Sequence, residues 1–184
     1  MTFPPMSLSS EEMDALAGLM PTAETYARLP LADAFTWSDC EATIEPGDWY
    51  LVAFRSTIRP DADTDRLRAY DDFAHAEASE SPGFVHYFKG PLASDGTCLS
   101  FCLWNSRAEA RAASRLPAHI EAVALIAETY AEYTLEFISM SKAHAGAALI
   151  FAPYDTVPAL QAVPGPQLSP VPLPIQLGFS PSAS

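Results

Sequence analysis

Two periodicities divide the middle of the chain. Residues 49–58 (WYLVAFRSTI) form a β-branched and aromatic run bounded by Pro46-Gly47 and Pro60, with the length of a sheet strand. Asp61 and Asp63 then offer N-caps, and Leu67, Tyr70 and Ala74 recur at helical intervals until Ser81-Pro82-Gly83 ends the segment. The run GFVHYFK alternates two side-chain sets, Phe84/His86/Phe88 and Val85/Tyr87/Lys89. A turn containing Gly90, Pro91 and Asp95-Gly96 joins it to TCLSFCLW, which predicts a hairpin. Ser106 and Glu109 have capping-box spacing and start a second helix, broken or kinked at Pro117, after which Ile120, Val123, Ala127 and Tyr130 carry the apolar stripe onward. YTLEFISMSK, residues 133–142, alternates again, and residues 147–151 offer an edge strand.

The order of these elements is β-α-β-β-α-β, an α+β unit of ferredoxin-like pattern. The predicted division is 1–46 as a helical and loop extension, 47–151 as the α+β domain, and 152–184 as a proline-rich tail. In the extension, Ser9 and Glu12 form a capping box for a short helix bearing Met13, Leu16 and Met20, stopped by Pro21. From Pro21 to Pro46 the pattern is weak and reads as loop or a short edge strand. The tail favours extended, polyproline-like backbone, with Ile175, Leu177 and Phe179 as apolar anchors if it crosses to a partner.

Composition narrows the function. An apolar fraction of 49% with 18% charged residues is globular, and 184 residues suit one core. The formal charge of −13 opposes binding to phosphate backbones and anionic lipid, which argues against nucleic-acid or membrane partners. No basic-then-apolar leader and no run of eighteen apolar residues is seen, so a cytoplasmic protein is expected. Cys40, Cys98 and Cys102 suggest neither a disulfide framework nor a zinc knuckle. Cys98 and Cys102, four apart on one strand face, stand about 13 Å apart and cannot bond each other. Phosphate-loop, GxSxG, HExxH and dinucleotide motifs are not found in the sequence.

The residues themselves offer several candidate groups. His86, between aromatics on a strand, suits a general base or a satisfied core histidine. His119 follows Pro117 at the start of a helical segment, placed either to reach a pocket or to face solvent. Arg55 interrupts an apolar strand and needs a carboxylate; Glu136 or Asp72 would pair with it structurally, while the functional alternative has it hold an acidic substrate group or an oxyanion. Asp71 and His75 share a helix face at i and i+4, too few for a metal site and readable as a solvated ion pair. No metal site is expected.

WYLVAFRST, GFVHYFKGP and CLSFCLWNSRAEARAASRLPAHIEA resemble the dimeric α+β barrel superfamily, which includes antibiotic-biosynthesis-type monooxygenases and haem-degrading enzymes, and resemble most an uncharacterised family of that shape. The resemblance implies a homodimer whose sheets carry helices on one face and enclose pockets on the other. On that picture Leu99, Phe101 and Leu103 face the helices, while Cys98, Ser100, Cys102 and Trp104 turn to the pocket, joined by Phe84, His86 and Phe88. It implies an enzyme, monooxygenase-like or isomerase-like, for an apolar or aromatic small molecule, with His86 or His119 as acid/base and Arg55 as charge stabiliser. The cofactor is none or haem; in the haem alternative His119 is the axial ligand and Trp104 stacks on the ring. A third reading is a non-catalytic ligand-binding or dimerisation module.

Overall fold

A computed structural model describes residues 8–154. The proposed tail beyond residue 154, with its apolar anchors, lies outside the described residues. An antiparallel five-stranded sheet organises the chain. Its strands are β1 (Gly47–Ile58), β2 (Phe84–Phe88), β3 (Thr97–Trp104), β4 (Tyr130–Lys142) and β5 (Ile150–Pro153), in spatial order β2-β3-β1-β4-β5. The first four strands have the ferredoxin-like order, and β5 extends the edge beside β4. The fold is α+β.

One face of the sheet carries the helices that follow β1 and β3. These are the long helix Thr64–Ser79 and the segments Arg107–Ala113, Pro117–Ala124 and Ile126–Thr129. The other face is filled by the N-terminal segment. That segment is folded where the sequence pattern predicts mostly loop: α1 (Ser10–Ala17), a 3-10 turn (Tyr26–Arg28), α2 (Leu31–Ala34) and α3 (Trp37–Glu41). The helices after β1 are numbered on from these, so Thr64–Ser79 is α4, Arg107–Ala113 α5, Pro117–Ala124 α6 and Ile126–Thr129 α7.

Local chemistry accounts for the ends of these elements. Ser9 and Glu12 close a capping box on α1, which stops at Gly18, short of Pro21. Asp63 caps α4 by accepting from the Arg66 amide at 2.9 Å. Ser106 accepts from the Glu109 amide at the start of α5. Pro117, lacking an N–H, starts α6, so the second helical run is two helices and not one kinked helix. The stripe expected to carry this run inward is largely exposed at Ile120 and Val123, and Tyr130 belongs to β4.

The main core lies between the sheet and the N-terminal segment. Trp49, Leu51 and Ala53 of β1, Leu99, Phe101 and Leu103 of β3, and Ile138 and Met140 of β4 meet Leu16, Tyr26, Leu31, Phe35, Trp37 and Ile44. The Phe35 ring lies within 6 Å of the Tyr26, Trp37, Phe88 and Phe101 rings. Polar contacts fasten the same layer. Buried Lys142 donates to the carbonyls of Glu41 and Ile44, and Glu41 Oε1 accepts from the Leu149 amide at 2.9 Å. The expectation that Leu99, Phe101 and Leu103 face the helices is thereby corrected. They face residues 8–46 of their own chain, on the sheet surface that the resemblance assigns to a second subunit.

Candidate functional site

A cavity of about 470 Å³ lies between the helix-bearing face of the sheet and helices α4, α5 and α6. It exists because these helices pack on one another more than on the sheet: α4 and α6 contain no buried residue. The strand register supplies its floor. Tyr50 pairs with Trp104, Val52 with Cys102 and Phe54 with Ser100 across β1 and β3, and Phe137 of β4 stands opposite Val52. All of these side chains line the cavity. The floor is therefore mostly apolar and aromatic, with the Phe84 ring set edge-on to Trp104 at 5.3 Å.

Its polar groups gather in two places. At one, the Tyr87 hydroxyl donates to Asp71 Oδ1 at 3.0 Å, and Lys89 Nζ bonds the second oxygen of the same carboxylate. The His75 ring packs edge-on to Tyr87 at 5.0 Å, and Tyr130 and Tyr133 line the wall nearby. Burial first, and then the Asp71 charge, push the Tyr87 phenol well above its ordinary pKa; the same causes raise Tyr130 to about 12. Burial also raises the Cys102 thiol, so it is a thiol and not a thiolate at neutral pH.

The second place is the start of α6. Glu77 of α4 accepts from the amides of Ala118 and His119 at 3.0 and 3.3 Å, satisfying two of the N–H groups that a helix start leaves open. This bond ties α6 to α4 and holds His119 in the cavity wall. Burial lowers the His119 pKa, and the Glu77 charge opposes that shift. The imidazole is neutral at pH 7 and is able to accept a proton.

The family model described as PB2B2.08-like matches residues 6–150. The chain belongs to that family. The matched region takes in the N-terminal segment as well as the sheet and its helices. No functionally curated protein matches the chain. Several solved structures are similar to part of this PB2B2.08-like protein. SnoaB, a cofactor-independent oxygenase from Streptomyces nogalater, is 15% identical, with 52% of this chain and 94% of that one covered and a TM-score of 0.42. A putative antibiotic biosynthesis monooxygenase from Nitrosomonas europaea is 14% identical over 48% and 86% of the two chains, with a TM-score of 0.44. A conserved protein from Methanosarcina mazei Go1 is 14% identical over 51% and 92%, also with a TM-score of 0.44.

The sequence candidates separate by sheet face. Phe84, Cys102, Trp104 and His119 line the cavity of the PB2B2.08-like chain, as do Cys98 and Ser100. The face named for β3 is thus the cavity face, although the cavity lies on the helix side and not opposite it. Phe88, His86 and Arg55 are not among its lining residues. A β-bulge between Phe84 and His86 breaks the alternation on which the grouping of Phe84, His86 and Phe88 rests. Beyond it, Phe88 stands opposite Phe101 and stacks on that ring at 5.2 Å in the main core. His86 stands opposite Leu103, with Nε2 buried and without a hydrogen-bond partner among the described residues. Arg55 lies on the N-terminal side of the sheet, bonded to Glu136 and to the Ala27 carbonyl. Of its two possible carboxylates the structure selects Glu136.

The pattern underrated Asp71, Tyr87 and Lys89. Helical spacing pairs Asp71 with His75, but its bonds go to Tyr87 of β2 and to Lys89 just beyond that strand. The available signal was the second alternating set, Val85/Tyr87/Lys89, which brings a phenol and an ammonium to one strand. Among the described residues, no three His, Cys, Asp or Glu side chains gather as a metal site.

The residues present do not fit haem well. His119 and Trp104 reach the cavity, but a haem also brings two propionates. Of the cations that line it, Lys89 is bound to Asp71, and Arg111 alone remains among the described residues to face two carboxylates in a protein of charge −13.

Proposed function

We propose that this protein is a small-molecule enzyme of oxygenase type, which takes an apolar polycyclic compound into the sheet–helix cavity and uses His119 as its proton acceptor. The observation that carries this reading is the placement of a neutral, half-buried histidine in the wall of an aromatic-lined cavity of about 470 Å³, a size suited to a small organic ligand. The reaction class comes from the resemblance in WYLVAFRST, GFVHYFKGP and the β3–α5 region.

The step required of the chain is a proton transfer. A methylene flanked by aromatic rings loses a proton to His119, and the carbanion, stabilised by its own π-system, gives one electron to O₂. The substrate radical and superoxide couple to form the C–O bond. The peroxide takes the proton back from His119 and expels water as the second C–H proton leaves. The sum is R₂CH₂ + O₂ → R₂C=O + H₂O, with all four electrons drawn from the substrate carbon. Arg55 has no part in it, and an apolar floor keeps water from the carbanion.

The test is oxygen uptake with a panel of activated-methylene polycycles that each bear a phenolic hydroxyl, headed by 2-hydroxyanthrone, each measured against its rate without protein. Uptake above that rate, lowered about a hundredfold or more in His119→Ala, is the expected result, since a positioned base contributes roughly 10²–10⁴-fold. No uptake across the panel, or unchanged turnover in His119→Ala, overturns the reading. Saturable binding with no uptake would favour a ligand-binding module instead.

A further inference from the structure

Tyr87 carries a directional constraint. Asp71 is bonded through Oδ2 to the Lys89 ammonium and through Oδ1 to the Tyr87 hydroxyl. An ionised carboxylate has no proton to give, so in the second bond Tyr87 is the donor. A phenol has one proton. With that proton committed to Asp71, what Tyr87 offers the cavity is its oxygen lone pairs. The hydroxyls of Tyr130 and Tyr133, on the same wall, have no hydrogen-bond partner among the described residues.

We infer that Tyr87, oriented by Asp71, is a specificity residue that recognises a hydroxyl on the substrate by accepting its hydrogen bond, so that the cavity selects hydroxyarenes over their ethers and over ketones. The inference rests on the cavity being the ligand site of the proposed function, and it adds the chemical class of the ligand. Its physical basis is the cost of an unmet polar group. A ligand that places a methoxy oxygen or a carbonyl against Tyr87 sets acceptor against acceptor, and the desolvated oxygen is left without a donor. A phenolic O–H meets it directly. The nearby Asp71 charge also favours the neutral phenol over the phenolate, since it raises the pKa of every phenol facing it. Lys89, more than half exposed and held by Asp71, points its charge at that carboxylate and not at the ligand.

The experiment is equilibrium binding of 2-naphthol, 2-methoxynaphthalene and 9-fluorenone to the full chain and to two variants, Tyr87→Phe and Asp71→Asn. The wild type is expected to bind 2-naphthol about tenfold more tightly than 2-methoxynaphthalene. Tyr87→Phe should lose this preference by weakening 2-naphthol alone. Asp71→Asn gives the opposite signature. Its amide N–H donates to the Tyr87 oxygen and frees the phenol proton, so the preference should move toward 9-fluorenone. No preference in the wild type, or one that survives Tyr87→Phe, overturns the inference, as does failure of all three compounds to bind. The preference with no oxygen uptake defeats the proposed oxygenase while this inference stands; oxygen uptake with no preference does the reverse.

Discussion

Arg55 and Glu136 are diagonal neighbours across the β1–β4 ladder, and their ion pair lies under the N-terminal segment, where the guanidinium also donates to the Ala27 carbonyl. The arginine thus joins sheet to extension, on the far side of the sheet from the cavity. Arg55→Met leaves the Glu136 carboxylate without its partner and the Ala27 carbonyl without its donor. A fully buried pair broken on one side costs about 3–5 kcal/mol; here 18% and 32% of the two side chains are exposed, which lowers the expected loss to about 1–3 kcal/mol. Urea unfolding measures it. Binding of 2-naphthol by the folded variant should be unchanged, and a large loss there would return Arg55 to the site.

Phe35 is a second test of the same layer. Its ring is 2% exposed and touches aromatic rings from the 3-10 turn, α3, β2 and β3. Truncation to alanine in such a place removes both transfer energy and packing, and should cost about 3–5 kcal/mol. The sheet face beneath would become partly exposed, because the Phe35 ring packs directly on Phe88 and Phe101 there. Phe35→Ala is therefore expected to lower the urea midpoint and to sediment as larger species at concentrations where the wild type does not. An unfolding free energy within about 0.5 kcal/mol of wild type would mean that the segment adds little to the core.

The strand and helix pattern was legible because each element carries its own period and its own end signals. Pro46-Gly47, Asp63, Ser106 and Pro117 mark boundaries that the structure places within a few residues. Of the extension, α1 was legible from its Ser9–Glu12 capping box, and the rest was not. The remaining helices are too short to show a period, and Tyr26, Phe35 and Trp37 are buried by a sheet far away in sequence. The error over the β3 faces has the same origin. Alternation separates Leu99/Phe101/Leu103 from Cys98/Cys102/Trp104 correctly, but it cannot say which layer covers which face, and the more apolar set belongs under the unforeseen segment. For His86 and Phe88 the cause is the bulge, since one extra residue reverses the faces of everything beyond it.

His86 should show itself in acid. Burial, with a smaller contribution from the His75 charge, lowers its pKa from the usual 6.5 to about 4. Above pH 6.5 the ring is neutral in both folded and unfolded chains and costs nothing. Between 6.5 and about 4 the unfolded chain takes up a proton that the folded chain refuses, so stability falls with pH across that window and then levels off. At about 1.4 kcal/mol per unit the full span sets an upper limit of about 3 kcal/mol, reduced by the part of the ring that solvent reaches. The ring lacks a partner for Nε2, so His86→Leu should keep the fold at pH 7.5. Comparing wild type and variant by urea unfolding at pH 7.5 and 4.5 isolates this group from other carboxylates and histidines. The variant should gain on the wild type as pH falls; an unchanged difference would show that His86 titrates alike in both states.

His119 is the group on which the proposed chemistry turns, and its proton affinity is measurable without a substrate. Burial pulls its pKa below 6.5, and the Glu77 carboxylate partly restores it. Glu77→Gln removes the charge but keeps an oxygen able to accept from the Ala118 and His119 amides, so α6 stays capped while the electrostatic support goes. The imidazole resonance of His119, followed by NMR from pH 4 to 8, should titrate below 6.5 in the wild type and lower still in Glu77→Gln. Because a base works as the free imidazole, the acid limb of any turnover profile must move to lower pH by the same amount. Titration of His119 at or above 6.5, or an upward shift in Glu77→Gln, would place the ring in water and remove it from the cavity wall. A downward NMR shift with a fixed activity limb would assign the proton transfer to another group, and His75, beside Tyr87 and Phe84, would be the next to replace.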